Sequence, residues 1–178
     1  MITEEPQALI QIYTGNGKGK STAAFGLALR ASGAGMKTVI LQFMKKGEWY
    51  SEIKAFDALP QIQIHSFGSE HYLKKGELPS DADMALAAQA MAKAREVMAD
   101  RDIDILILDE LCIAVYFGLV KEEEALQLMQ NKPTWQELVI TGRNATEAMI
   151  AGADLVTEMR EIKHPYQKGI TARKGIEF

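Results

Sequence analysis

The sequence predicts an α/β protein: a mostly parallel central sheet with helices on both faces. Three observations carry that prediction. Short apolar, β-rich runs bounded by turn residues recur at residues 9–13, 38–43, 103–108, 138–141 and 155–159. Segments of helical apolar spacing lie between most of them, the alternation that produces parallel strands joined by crossover helices. Chemistry-bearing residues gather just past the strands, at 15–22, 109–110 and 141–143, and that edge is where open parallel sheets bind ligands.

Taken in order, Leu9 to Tyr13 reads as a buried strand and Ala23 to Ala31 as a helix, stopped by Ser32-Gly33-Ala34-Gly35. Thr38 to Phe43 is a second buried strand. Lys45 to Tyr50 is a polar loop with two aromatics, and Ser51 caps a short helix that runs to Leu59 and is stopped by Pro60. Ile62, Ile64 and His65 mark a third strand, and Ser66 to Pro79, with no clean period, is a long loop of the kind that often carries function. Ser80 and Asp83 form a capping box in which Asp replaces the usual Glu. Met84, Ala87, Ala88, Met91, Ala94 and Met98 then give that helix an apolar face. The strand Ile103–Leu108 ends in Asp109-Glu110. Leu111–Phe117 and Lys121–Gln130 read as helices, Leu138–Thr141 as a strand, Thr146–Ala151 as a helix and Leu155–Met159 as a last strand. The tail from Arg160 carries five Lys or Arg against two acids.

With 178 residues and 47% hydrophobic content, the chain can bury one good core, so residues 1–178 are expected to form a single domain. Twenty Lys plus Arg against 24 Asp plus Glu leaves a net charge of −4, which argues against a partner bound by phosphate neutralisation such as nucleic acid. No apolar run is long enough to span a membrane. The amino terminus lacks a signal-peptide pattern, so a cytoplasmic protein is expected. A single cysteine, Cys112, excludes an internal disulfide and a multi-cysteine zinc site. The three histidines do not share metal-ligand spacing.

The most informative stretch is Leu9 to Thr22. Gly15, Gly17 and Gly19 allow a turn whose N–H groups point into one concavity, at the positive end of the following helix. Lys20 would add a point charge to phosphate oxygens and Ser21 a hydroxyl for Mg²⁺. Thr14 occupies the first glycine position of the usual G-x-x-x-x-G-K-[ST] loop, so this is a shortened form beginning at Gly15. A dinucleotide fingerprint fails because Lys20 stands where its third glycine belongs. A plain glycine-rich turn leaves Gly-Lys-Ser-Thr unexplained. Asp109, after four apolar residues, could hold Mg²⁺ opposite Ser21 or simply cap a helix. Glu110 could position water or act as a ligand, and Arg143 could clasp a phosphate or be a surface arginine in a turn. Cys112 reads as a buried inert thiol. No nucleophile–base pair is evident. These residues therefore point to a magnesium–nucleotide site, with phosphoryl transfer, hydrolysis and a nucleotide switch all open. The lack of an Asn-Lys-x-Asp motif disfavours a Ras-like GTPase, and the single cysteine a zinc-bearing thymidine kinase.

The segment Thr14-Gly-Asn-Gly-Lys-Gly-Lys-Ser-Thr-Ala-Ala-Phe-Gly26 closely resembles the phosphate loop of the ATP:corrinoid adenosyltransferases, also called cob(I)yrinic acid a,c-diamide adenosyltransferases. The likeness continues through Leu106–Leu111, Val139–Arg143, Ala151–Arg160, Lys163–Gly169 and Gly175-Ile176, in order over nearly the whole chain. It implies a RecA-like phosphate-loop fold, a homodimer, and transfer of the 5′-deoxyadenosyl group of ATP to a Co(I) corrinoid with release of triphosphate. It also implies ATP held in reverse by Gly15, Asn16, Gly17, Lys18, Gly19, Lys20, Ser21 and Thr22. Mg²⁺ or Mn²⁺ would sit on Ser21 and Asp109, with Lys20, Asp109, Glu110 and Arg143 as catalytic residues. A reduced flavoprotein or another Co(II) reductant would supply Co(I). Phe67 and Tyr72, in the loop after the third strand, are the matching candidates for corrinoid contact and are expected to lie outside the core. Enteric members carry an amino-terminal extension that helps cover the corrinoid, whereas here residues 1–8 precede the first strand. The competing reading is a nucleotide-binding switch, weak ATPase or corrinoid carrier without adenosyl transfer.

Overall fold

The computed structural model describes residues 7–47, 50–71, 73–74 and 76–177. Six strands, β1 (Ile10–Thr14), β2 (Thr38–Phe43), β3 (Ile62–Phe67), β4 (Ile105–Asp109), β5 (Glu137–Thr141) and β6 (Leu155–Glu158), form one sheet in the order β3-β2-β4-β5-β1-β6. Every pairing is parallel. The helices are α1 (Lys20–Gly33), α2 (Ser51–Phe56), α3 (Asp81–Ala99), α4 (Leu111–Tyr116), α5 (Glu122–Gln130) and α6 (Glu147–Ala151). A 3₁₀ turn spans Pro165–Lys168. Strand β5 lies between β1, which leads into the glycine loop, and β4, which ends in Asp109.

Strand alternation divides the core into two layers. Ile40, Ile105, Ile107 and Val139 point to the face covered by α1 and α2, whereas Val39, Leu41, Leu106 and Leu108 point to the face covered by α3 to α6. Strands buried on both sides do not alternate apolar with polar positions, which explains the apolar runs Val39–Leu41 in β2 and Ile105–Leu108 in β4. Each fully buried Leu or Ile contributes about 1.5–3 kcal/mol. Helix α1 approaches the sheet closely through Ala24, Ala28 and Ala31, and its Phe25 meets Phe56 of α2 edge to face at 5.6 Å between ring centres.

The capping box forms: Asp83 N donates to Ser80 Oγ and Ser80 N to Asp83 Oδ2. Met84 and Ala88 are nevertheless exposed, and the buried stripe of α3 runs through Ala87, Ala90, Met91, Ala94, Val97 and Met98. At the first turn Asp83 takes the inward position instead, held by the Ser80 and Ser69 hydroxyls. Other expected elements differ in extent. Helix α1 starts at Lys20 rather than Ala23, α2 ends at Phe56, and Tyr50 rather than Ser51 occupies the N-cap position of α2. Ser66 and Phe67, assigned to a loop by their irregular pattern, continue β3 because they pair with Gln42 and Phe43 of β2. Among the described residues no helix is long and apolar enough to cross a membrane.

The exits of β2 and β3 are locked together. Met44 adopts a left-handed conformation (φ 58°) and its N–H donates to Phe67 O. Gly68 lies so close to the peptide joining Met44 and Lys45 that an added Cβ would overlap its backbone atoms. Gly68→Ala is therefore expected to lower stability by roughly 1–3 kcal/mol, as overpacking does. Gly26→Ala, where a Cβ meets nothing within 4 Å, should raise it by about 0.5–1 kcal/mol through its helix-interior position. Urea unfolding midpoints check both; equal stability of Gly68→Ala and the parent would contradict the packing of these two exits.

Candidate active site

The turn between β1 and α1 owes its glycines to crowding as well as to φ. Gly15 and Gly19 have φ values of 94° and 121°. A Cβ on Gly15 or Gly17 would come within 2.6 and 2.7 Å of Met159 O, because the chain leaving β6 runs directly against the loop. Gly17 N donates to Met159 O at 2.6 Å. The loop thus departs from the expected cradle at one point: the Gly17 N–H is committed to its neighbour and does not face the concavity. The N–H groups of Lys20, Ser21 and Thr22 head α1, where no intrahelical acceptor exists for them. Lys20 is buried and its Nζ donates to Gly17 O at 2.8 Å. Burial draws its pKa below the ordinary lysine value, with the Glu110 carboxylate the largest opposing influence.

Across the sheet edge, Asp109 is completely buried at the end of β4. Its Oδ1 accepts from Thr141 Oγ1 at 2.7 Å, and its Oδ2 accepts from Gln42 Nε2 at 3.3 Å and from Lys45 Nζ at 2.6 Å. Burial alone would raise the pKa of this carboxyl, but the Lys45 charge and hydrogen bond, aided by Ser21 and Thr141, hold it below the usual range. Lys45 Nζ is also 3.3 Å from Ser21 Oγ and lies over the Phe25 and Tyr50 rings. Burial opposes the Lys45 charge, yet Asp109 and Glu110 more than offset it and raise its pKa. Glu110 follows in a left-handed conformation (φ 67°), and its N–H donates to Thr141 Oγ1. Its pKa is raised, first by burial and then by the adjacent Asp109 carboxylate. Cys112 is buried behind this acid pair, its thiol pushed up to about 12 by burial and by Glu110, and is an inert core group.

A cleft of about 740 Å³ opens above these groups, bordered by the loop from Gly17, by Phe25, Lys45, Tyr50, Glu110 and Arg143, and by His164 and Gly175–Glu177 of the tail. Arg143, left open between a phosphate ligand and a surface role, reaches back to the loop, with its Nη2 3.4 Å from Asn16 O. The tail closes one side of the cleft. Lys18 donates to Ile176 O and pairs with Glu177 at 2.8 Å, and Arg173 pairs with the same carboxylate. Lys18 is thereby directed to the tail. The structure thus brings Gly15 to Thr22, Asp109, Glu110 and Arg143 to one edge. It does not bring Phe67 with them. Phe67 ends β3, where its partly buried ring packs against the core on the α3 face without being one of its buried members, and it borders a separate small cavity with Ser69 and His71. Tyr72 lies outside the described residues.

Among the described residues no three His, Cys, Asp or Glu side chains could hold a metal by themselves. Mg²⁺, however, is ordinarily held by one or two carboxylates together with substrate phosphates and water. Ser21 Oγ and Asp109 Oδ2 fit that pattern, since these two hard oxygen atoms already converge on one positive charge, the Lys45 ammonium. Lys45, Gln42 and the tail were the site residues that sequence reasoning missed. A glutamine inside an apolar strand was the one available signal for Gln42. Nothing local marked Lys45, whose role arises from the turn at Met44.

A family model described as ATP:corrinoid adenosyltransferase BtuR/CobO/CobP matches residues 6–178. The corrinoid adenosyltransferase of Pseudomonas aeruginosa is 37% identical over 175 residues, covering 98% of this chain and 85% of the relative. That of a Sinorhizobium species is 37% identical over 179 residues, covering 98% and 82%. That of Escherichia coli is 33% identical over 177 residues, covering 98% and 88%. With a parallel α/β sheet of phosphate-loop type beneath the site and a match that spans nearly the whole sequence, the chain belongs to the ATP:corrinoid adenosyltransferase BtuR/CobO/CobP family of enzymes.

Proposed function

We propose that this protein transfers the 5′-deoxyadenosyl group of ATP to the cobalt of a Co(I) corrinoid and releases triphosphate, acting in the cytoplasm as a homodimer supplied with Co(I) by a reduced flavoprotein or another reductant. The observation that carries this reading is the convergence of Lys20, Lys45 and Arg143 on one cleft at the head of α1. In the reaction the Co(I) electron pair attacks C5′, the C5′–O bond breaks, and the bonding pair leaves with the triphosphate. Cobalt is the nucleophile and no proton has to be removed, so the chain needs no general base. Its task is to orient C5′ and to stabilise the charge that builds on the leaving group.

The α1 N–H groups and Lys20 would bind the phosphates, and Arg143 suits a bidentate contact with them. Ser21 and Asp109 would hold Mg²⁺ or Mn²⁺, which neutralises triphosphate charge when bound. Thr141 and Gln42 aim the Asp109 carboxylate, and Glu110 lines the same cleft. We place the corrinoid by resemblance on the side of Phe67 and Tyr72, with the partly buried Phe67 ring resting against the core there. Leu155 and Val156 are about 39% exposed on the edge strand β6, and covering them is the simplest use of a second copy of the chain.

Lys20→Ala should weaken ATP binding by roughly 10–100-fold, the worth of one charge-assisted contact at about 1.5–3 kcal/mol; calorimetric titration measures it. Unchanged affinity would remove the loop lysine from phosphate binding. Anaerobic incubation with Mg-ATP and a reduced corrinoid is expected to form tripolyphosphate and a light-sensitive cobalt–carbon product in equal amounts, with ATP loss dependent on the corrinoid. ADP and phosphate formed at the same rate without corrinoid, with no alkylcobalt product, would instead support the ATPase reading.

A further inference from the structure

Asp109 does not border the cleft, because Lys45 stands between them. The carboxylate is fully buried, while the Lys45 ammonium lines the cleft floor, 2.6 Å from Asp109 Oδ2 and 3.3 Å from Ser21 Oγ. This placement is built into the fold. Register pairs Asp109 with Gln42, so Lys45, three residues further on, reaches the carboxylate only because Met44 turns the chain through a left-handed conformation. Gly68 packs on that peptide, and the Phe25 and Tyr50 rings flank the ammonium at 5.8 and 5.1 Å.

We infer that Lys45 is the resident cation of the metal position: it occupies the place between Ser21 and Asp109 and excludes free divalent metal until a triphosphate binds. The inference rests on the reading of Ser21 and Asp109 as metal-side residues. Two cations cannot share one carboxylate oxygen in a partly desolvated site without strong repulsion. A triphosphate in the cleft offers Lys45 a new anionic partner, and the vacated Asp109 oxygen then becomes available to the metal entering with it. Metal and nucleotide would consequently bind with positive coupling, each aiding the other by the same factor. Lys45 is here a positioning residue that keeps Asp109 ionised and correctly aimed before substrate arrives.

The test uses Mn²⁺ alone, titrated into the whole protein without nucleotide and followed by the spin-resonance signal of free Mn²⁺. The parent should bind Mn²⁺ weakly, and ATP should strengthen that binding. Lys45→Met keeps an apolar stem between the two rings but removes the charge, and it should bind Mn²⁺ alone roughly tenfold or more tightly than the parent, within the usual range of coupling factors. Should that variant not fold with Asp109 left unpaired, Lys45→Gln retains a hydrogen-bond donor and should show the same gain in smaller measure. Lys45→Arg should show none, and adding Asp109→Asn to Lys45→Met should abolish the gain. Equal Mn²⁺ affinity in the parent and the neutral variants, with ATP-dependent Mn²⁺ binding intact, would overturn the inference and leave the nucleotide reading standing. Failure of every form to bind Mn²⁺, with or without ATP, would overturn both.

Discussion

A carboxylate with no access to water organises this site. Asp109 ends the central strand β4, and a lone charge there would be strongly destabilising; removing one partner of a buried pair typically costs about 3–5 kcal/mol. The fold satisfies it from three directions: Thr141 from β5, Gln42 from β2 and Lys45 from the turn after β2. Each partner has a backbone consequence. Gln42 must interrupt an apolar strand, Thr141 must end its own strand beside Asp109, and Met44 must take a conformation worth roughly 1–3 kcal/mol of strain. The interaction thus ties three neighbouring strands together at the edge where the cleft opens.

The second constraint is steric. The chain emerging from β6 passes so near the phosphate loop that Gly15 and Gly17 have no room for a side chain. A phosphate loop is usually explained by the ligand that its backbone approaches. Here part of the glycine requirement is already set by protein packing, and the Gly17 N–H is spent on Met159 O. The same crowding brings the tail over the cleft, where Lys18 and Glu177 pair. Loop, last strand and tail therefore form one wall, and a change in any of them is felt at the head of α1.

These two constraints suit a reaction in which the attacking atom comes with the substrate. The cleft collects Lys20, Lys45, Arg143 and the α1 N–H groups at one end, with Glu110 beside them, its pKa raised by burial and by the Asp109 carboxylate. Such a grouping of cations and N–H donors can stabilise a departing polyanion. A triphosphate leaving group demands that kind of electrostatic preorganisation.

The sequence by itself determined the architecture and the location of the site. Apolar runs of strand length and intervening helical periods dictate a parallel sheet. Glycine followed by Lys20, Ser21 and Thr22 after a strand, together with Asp109 after another, marks the edge that carries the candidate site, because these signals are local and need only a few neighbouring residues. What they could not contain is anything that depends on strands far apart in the chain lying side by side. Phe67 looked like a loop residue until pairing with Phe43 extended β3 and drew its ring against the core. Met84 looked like core until Asp83 turned inward to its serine partners. Lys45 looked like one more loop lysine. Only the tertiary structure sets its ammonium between Ser21 and Asp109, because that position requires β2 beside β4, Gly68 against the 44–45 peptide, and a buried carboxylate in need of a positive partner.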